Sequence, residues 1–183
     1  MRAHKNVMVD LETLGTAPGS VILSIGAVAF NEGRPESEWV TFNSGPINID
    51  SSLNVGLTVD ADTVMWWGRQ DAEASKLLTE AQTGGVNVRM ALSCFTTWFP
   101  LDACIWGNGA NFDEPLLTAA YRTIGCVPPY KYYASHCYRT MKNLFSDVVS
   151  SPAFQGVKHD ALADALHQTR HLQSILLHIQ AVR

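Results

Sequence analysis

The stretch Val7-Met8-Val9-Asp10-Leu11-Glu12-Thr13 opens the chain's first apolar run and ends it on two carboxylates. Its Val-rich start reads as a short buried strand over Val7 to Asp10. Residues two apart on a strand share a face, so Asp10 and Glu12 project side by side. Like charges that close repel, and a fold tolerates the pair where a cation joins them. Oxygen donors of this kind suit hard divalent ions such as Mg²⁺.

Outward from this stretch, Thr16 to Ser20 reads as a turn, Val21 to Phe30 as a second strand and Asn31-Glu32-Gly33 as a hairpin turn. Glu38 to Asn43 alternates as a third strand, so the opening predicts an antiparallel meander. Gly45 to Gly56 reads as a loop. Helices are expected over Thr58–Gly68 (capped by Thr58 or Asp60), Asp71–Leu78 and Asn87–Phe99, where the apolar residues fall on one face. Ala103 to Trp106 is a buried strand, Gly107 to Asn111 a loop, and Glu114 to Ile124 a helix. Tyr130 to Ala134 is expected as a fifth strand, with helices over Tyr138–Val148 and Asp160–Val182. Strands first, then strands alternating with helices, predict an α/β fold with one mixed sheet flanked by helices. The 183 residues suit a single domain over 1–183, and 46% hydrophobic residues allow a sizeable core.

A net charge of -4 excludes a strongly basic protein that grips many phosphates. The objection weakens where four acids hold two divalent ions, and an enzyme engaging only a strand end needs no broad basic stripe. The four cysteines form no Cys-x-x-Cys pair and read as reduced, buried thiols of a cytoplasmic protein. No run reaches the roughly 18 to 20 apolar residues of a membrane span, and no signal peptide is visible.

Two further signals complete the first: Asn111-Phe112-Asp113, and His159-Asp160-Ala161-Leu162-Ala163-Asp164. Asp10-x-Glu12-Thr13-x-Gly15, then Phe112-Asp113, then His159-x-Ala161-x-x-Asp164-Ala165 resembles the three motifs of the DEDDh exonucleases. That group includes ribonuclease T, oligoribonuclease and the proofreading subunit of DNA polymerase III. Order and spacing match from Asp10 to the final helix. Met8 to Phe30 and Trp66-Trp67-Gly68-Arg69 look like the small bacterial and phage branch, exonuclease VIII-like or ribonuclease AS-like. A tyrosine variant of the group carries Tyr four residues before the last Asp; Asp160 stands there, which indicates the histidine version.

The resemblance implies a ribonuclease H-like fold and 3′-5′ hydrolysis of single-stranded nucleic acid, releasing nucleoside 5′-monophosphates. Within it, the phage-like flavour tilts the substrate towards DNA, with RNA the alternative. Two Mg²⁺ or Mn²⁺ ions, about 4 Å apart in such sites, would stabilise the attacking and leaving oxygens. Asp10 would bridge both. Glu12 and Asp164 would complete the first ion's shell, and Asp113 would support the second, directly or through water. Glu12 would also face the terminal 3′-hydroxyl. His159 would take the proton from the attacking water, a role suited to an imidazole at neutral pH.

Thr13 and Leu14 would contact the last nucleotide through backbone and an apolar wedge. Many relatives carry Asn four residues before the middle Asp; here Gly109 stands there, and Asn108 and Asn111 flank it, with Asn111 the candidate contact. Trp66 or Trp67 would stack on a base, core packing or a dimer contact being the competing use. Adjacent helix residues point apart, so one is expected buried and the other not. His136 and Arg139 fit either an approach to phosphate or a helix start. His167 and His171, at i and i+4, read as surface histidines. A homodimer fits the group's habit.

Taken singly, these residues have ordinary explanations. Asp113 before Glu114-Pro115 would be a helix N-cap, and Asp164 a first-turn acid favoured by the helix dipole. Two other readings compete with an exonuclease. Asp10-x-Glu12-x-x-Gly15-Thr16 loosely mimics the nucleophile loop of haloacid dehalogenase-type phosphatases, but Glu12 stands where those have Asp. A non-catalytic binding module would lack a carboxylate, and all are present.

Overall fold

A computed structural model describes residues 4–70 and 72–182. Five strands form one mixed sheet in the order β3-β2-β1-β4-β5. β1 (Asn6–Thr13), β2 (Ile22–Phe30) and β3 (Val40–Asn43) make the antiparallel meander. β4 (Cys104–Gly107) then lies parallel to β1, and β5 (Ser135–Cys137) parallel to β4. This α/β arrangement has the ribonuclease H-like architecture.

Alternation along β1 builds two cores. Val7, Val9 and Leu11 face one side and pack with α4 (Val88–Trp98) and α5 (Asp113–Thr123). Met8 faces the other, with Val28, Phe30, Tyr138 of α6 (Tyr138–Leu144) and Ala165 and Leu172 of α7 (Ala161–Ala181). By the same alternation Asp10 and Glu12 fall on the α7 side. β4 pairs with β1 only from Asn6 to Met8. Beyond that point the two parallel strands separate, and a crevice opens at their carboxyl ends, where open α/β sheets bind ligands.

Two glycines set how closely the helices approach this crevice. Gly26 pairs with Asp10 across β2 and β1. A Cβ there would lie 2.1 to 2.3 Å from the backbone of Ala161 and Leu162, so only glycine lets the start of α7 rest on the sheet. Gly107 ends β4, and a Cβ on it would meet Asp113 Oδ2 at 2.9 Å.

Several expectations are corrected. The loop over Gly45–Gly56 contains α1 (Ile49–Leu53), started by Asn48, whose side chain accepts from the Ser51 N–H. The third strand begins at Val40, because Glu36–Glu38 form a 3₁₀ turn. The fifth strand lies at Ser135–Cys137 instead of Tyr130–Ala134; Tyr132–Ala134 is a 3₁₀ turn with Tyr132 and Tyr133 exposed. Pairing with Ile105–Gly107 placed the strand there, against local β propensity. The helix of α2 (Ala61–Trp67) takes Asp60 as its cap, while α3 (Ala72–Thr83) runs further than expected and α6 stops at Leu144. Cys94 and Cys126 are exposed rather than buried, and all four thiols are free. His171 is buried, its Nδ1 2.9 Å from the Tyr138 hydroxyl, because α6 covers that side of α7. Among the described residues no helix is long and apolar enough to cross a membrane.

Candidate active site

Asp10, Glu12 and Asp164 each offer a carboxylate oxygen, and these atoms all lie within 4.8 Å of one another. Asp10 and Glu12 come from the end of β1. Asp164 sits in the first turn of α7, a helix started by Asp160, whose carboxylate accepts from the Ala163 N–H at 2.8 Å. Just before the cap, His159 has a left-handed backbone (φ 62°), which turns its N–H onto Asp164 Oδ2 at 3.1 Å. Non-glycine residues adopt that conformation at a cost, and it recurs at functional sites.

Asp113 reaches the same crevice from the opposite side of the sheet. It is the first residue of α5 rather than its N-cap, which is Phe112. The side chain is 1% exposed, with Oδ1 accepting from the Leu11 N–H at 3.2 Å and Oδ2 from the Asn108 N–H at 2.8 Å. Leu11 lies past the last β4 pair, so its amide takes a carboxylate where a strand partner would otherwise be.

These acids repel one another. Burial, then the charges of Asp113, Glu12 and Asp164, hold the Asp10 carboxyl well above the ordinary range. Burial and the charges of Asp164, Asp160 and Asp113 push Glu12 up to about 8. Asp113 is pushed up to about 6 by burial, against the pull of the Asn108 and Leu11 amides. Asp164 is raised by burial too. A cluster that resists ionisation this strongly, with oxygen donors converging, fits a hard divalent cation.

Asp10, Glu12 and Asp164 line a cavity of about 680 Å³, and Asp113 is buried outside its lining. Trp66 and Trp67 form one wall beside His159, their ring centroids 5.0 and 6.2 Å from the imidazole and nearly perpendicular to it. Trp67 is 1% exposed and its indole donates to the Thr13 carbonyl at 2.9 Å, while Trp66 is 41% exposed. One tryptophan is therefore core and the other borders solvent. Thr13 lines the cavity, and its hydroxyl donates to the Gly15 carbonyl.

Two candidates lie elsewhere. Leu14 is 2% exposed and packs in the core behind the sheet, outside the cavity lining. Asn111 is exposed and lines a neighbouring hollow; Asn108 is the asparagine that borders the main cavity. Sequence reading also missed Gln168. Its amide donates to Asp10 Oδ1 at 2.6 Å, while its buried Oε1 has no partner among the described residues. Spacing could have found it, since Gln168 lies i+4 from Asp164 on the same face of α7.

No curated protein matches the chain. The sequence model of the 3′-5′ exoribonuclease Rv2179c-like domain matches residues 5–176, a span that holds every residue of this site. The chain thus belongs to the Rv2179c-like family of 3′-5′ exoribonuclease domains, an exonuclease family.

Proposed function

We propose that the protein is a DEDDh-type 3′-5′ exoribonuclease that removes nucleoside 5′-monophosphates from the 3′ end of single-stranded RNA. The observation that carries this reading is the convergence of Asp10, Glu12 and Asp164 in a cavity that His159 also lines. RNA is preferred over the DNA expected from sequence flavour because the family's description names an exoribonuclease.

The donor set fits two Mg²⁺ or Mn²⁺ ions. Asp10 would be shared, with Glu12 and Asp164 holding one ion and Asp113 supporting the other. Each Asp113 oxygen accepts one backbone N–H and keeps a further lone pair, so its support would be direct or through water. Bound there, the ions supply positive charge to the attacking and leaving oxygens of the scissile phosphodiester.

The chain's own groups do the rest. His159 accepts the proton of the attacking water and is held in orientation by its backbone bond to Asp164 and by the two tryptophan edges. Gln168 holds Asp10 by one oxygen. Trp66 offers a half-exposed ring to the terminal base.

The test uses 5′-labelled RNA and DNA oligomers of one sequence, with Mg²⁺, Mn²⁺ or EDTA, resolved at single-nucleotide steps. A metal-dependent ladder shortening from the 3′ end, faster on RNA, is expected. Faster trimming of DNA would overturn the choice of substrate. No ladder on either strand would overturn the exonuclease.

A further inference from the structure

The main cavity has a charge problem on its own. Among the described residues its lining includes Asp10, Glu12, Asp60, Asp62 and Asp164, and neither Lys nor Arg. Ions held by the carboxylates would answer the scissile phosphate, but nothing there answers the next phosphate of the strand. A second hollow of about 390 Å³ lies beside it, and Phe112 is a wall of both. Arg139 lines this hollow, together with Asn111, Thr140 and Asn143.

Three facts suit Arg139 to an incoming anion. It is exposed, and among the described residues no carboxylate pairs with it in a salt bridge. Its Nε donates to Asn108 Oδ1 at 3.4 Å, which ties the guanidinium to a residue of the main cavity. It also lies across Gly109, where a Cβ would sit 3.5 to 3.6 Å from the guanidinium and the backbone φ is 140°. That distance is ordinary van der Waals contact, so the guanidinium rests on the loop, and it is the backbone turn that suits glycine there.

We infer that the Arg139 hollow is the subsite for the strand just upstream of the scissile bond. Arg139 receives the phosphodiester there, and Phe112 separates the terminal nucleotide from the one before it. The inference rests on the exoribonuclease reading of the carboxylate site. A guanidinium suits this task because its fork of donors matches two phosphate oxygens. The amides of Asn111 and Asn143 and the Thr140 hydroxyl supply polar partners for the sugar.

The test compares wild type with Arg139→Ala, Arg139→Lys and Asn143→Ala on an RNA hexamer. Trimming is measured with Mg²⁺, and binding of the fluorescent hexamer by anisotropy with Ca²⁺ in place of Mg²⁺, so that the carboxylates stay neutralised. Arg139→Ala should raise KM and Kd about tenfold with kcat within about twofold, and should flatten the salt dependence by the equivalent of about one phosphate contact. Arg139→Lys should recover most of the loss, and Asn143→Ala should cost less than Arg139→Ala. Unchanged KM and Kd would overturn the subsite. So would a fall in kcat and Tm with KM unchanged, which would make Arg139 a brace for the Asn108 loop. A wild type that binds the hexamer without trimming it would sink the exonuclease instead, leaving the anisotropy to decide on Arg139. A wild type that does not bind would overturn the subsite.

Discussion

Asp164 and Asp113 both ride on the first turn of a helix, and both are placed by a glycine on the facing strand, yet they are held differently. Asp113 gives each oxygen to a backbone amide and is closed from solvent. Asp164 takes one amide, that of His159, and otherwise faces Asp10 and Glu12 across the cavity. The first carboxylate is part of how the crevice is built. The second contributes charge that the fold itself does not neutralise. Stability and activity should therefore respond to the two in different ways.

The largest expected effect is on Asp164. Asp164→Asn should lower trimming at least about a thousandfold, roughly 4 kcal/mol of barrier. It should also raise the Tm of the metal-free protein, because one repelling charge is gone while an amide oxygen can still accept from His159. Retained activity would remove Asp164 from the metal site. His159→Ala should lower turnover by about 10²- to 10⁴-fold at neutral pH. Mg²⁺ should still raise its Tm; a rate and pH profile matching wild type would end the general-base role.

Asp113→Ala should act in the opposite sense to Asp164→Asn. It leaves the Leu11 amide unpaired in a buried place and the Asn108 amide in a half-buried one, at about 2 to 4 kcal/mol, and chemical denaturation would read the loss. A variant as stable as wild type would erase the contrast between the two acids.

Acidity gives a further handle. Glu12 ordinarily titrates near 4.5 and is pushed up to about 8 in the fold, chiefly by burial. The metal-free fold therefore keeps a proton that the unfolded chain has shed. This stability is fully present below about pH 4.5 and is lost as pH rises through 8. Tm without metal should fall by several degrees from pH 5 to 9. Glu12→Gln should flatten the slope and Mg²⁺ should oppose it; a slope of the other sign would contradict the electrostatics. The smallest effect should be that of Gln168→Leu, which frees one oxygen of Asp10 and should raise the Mg²⁺ needed for half-maximal activity by about tenfold. An unchanged requirement would make Gln168 a packing residue.

The alternation along β1 was readable from sequence, and it put Asp10 and Glu12 on one face. Leu14 was not readable in the same way. The register shifts between Glu12 and Thr13, whose partners are Ser24 and Ile22, and this irregularity breaks the alternation just before Leu14. Local signals could not choose between Asn108 and Asn111 either, since the loop turns at Gly109 with a backbone few residues adopt. His171 looked like a surface histidine on its own helix; only the packing of α6 against α7 shows otherwise. The fifth strand slipped for a similar reason, since its position depends on β4 and not on its own residues.

Gly26 carries a consequence for reading other chains of this kind. It has no chemistry, yet a single methyl group at that position would collide with the backbone at the head of α7. The helix would have to lift, and Asp164 would move with it away from Asp10 and Glu12. A chain could then keep every acid and the histidine and still be a silent copy. Telling live members from silent ones by their acidic residues alone would miss such a case, and the smallest residue on the neighbouring strand belongs in the diagnosis.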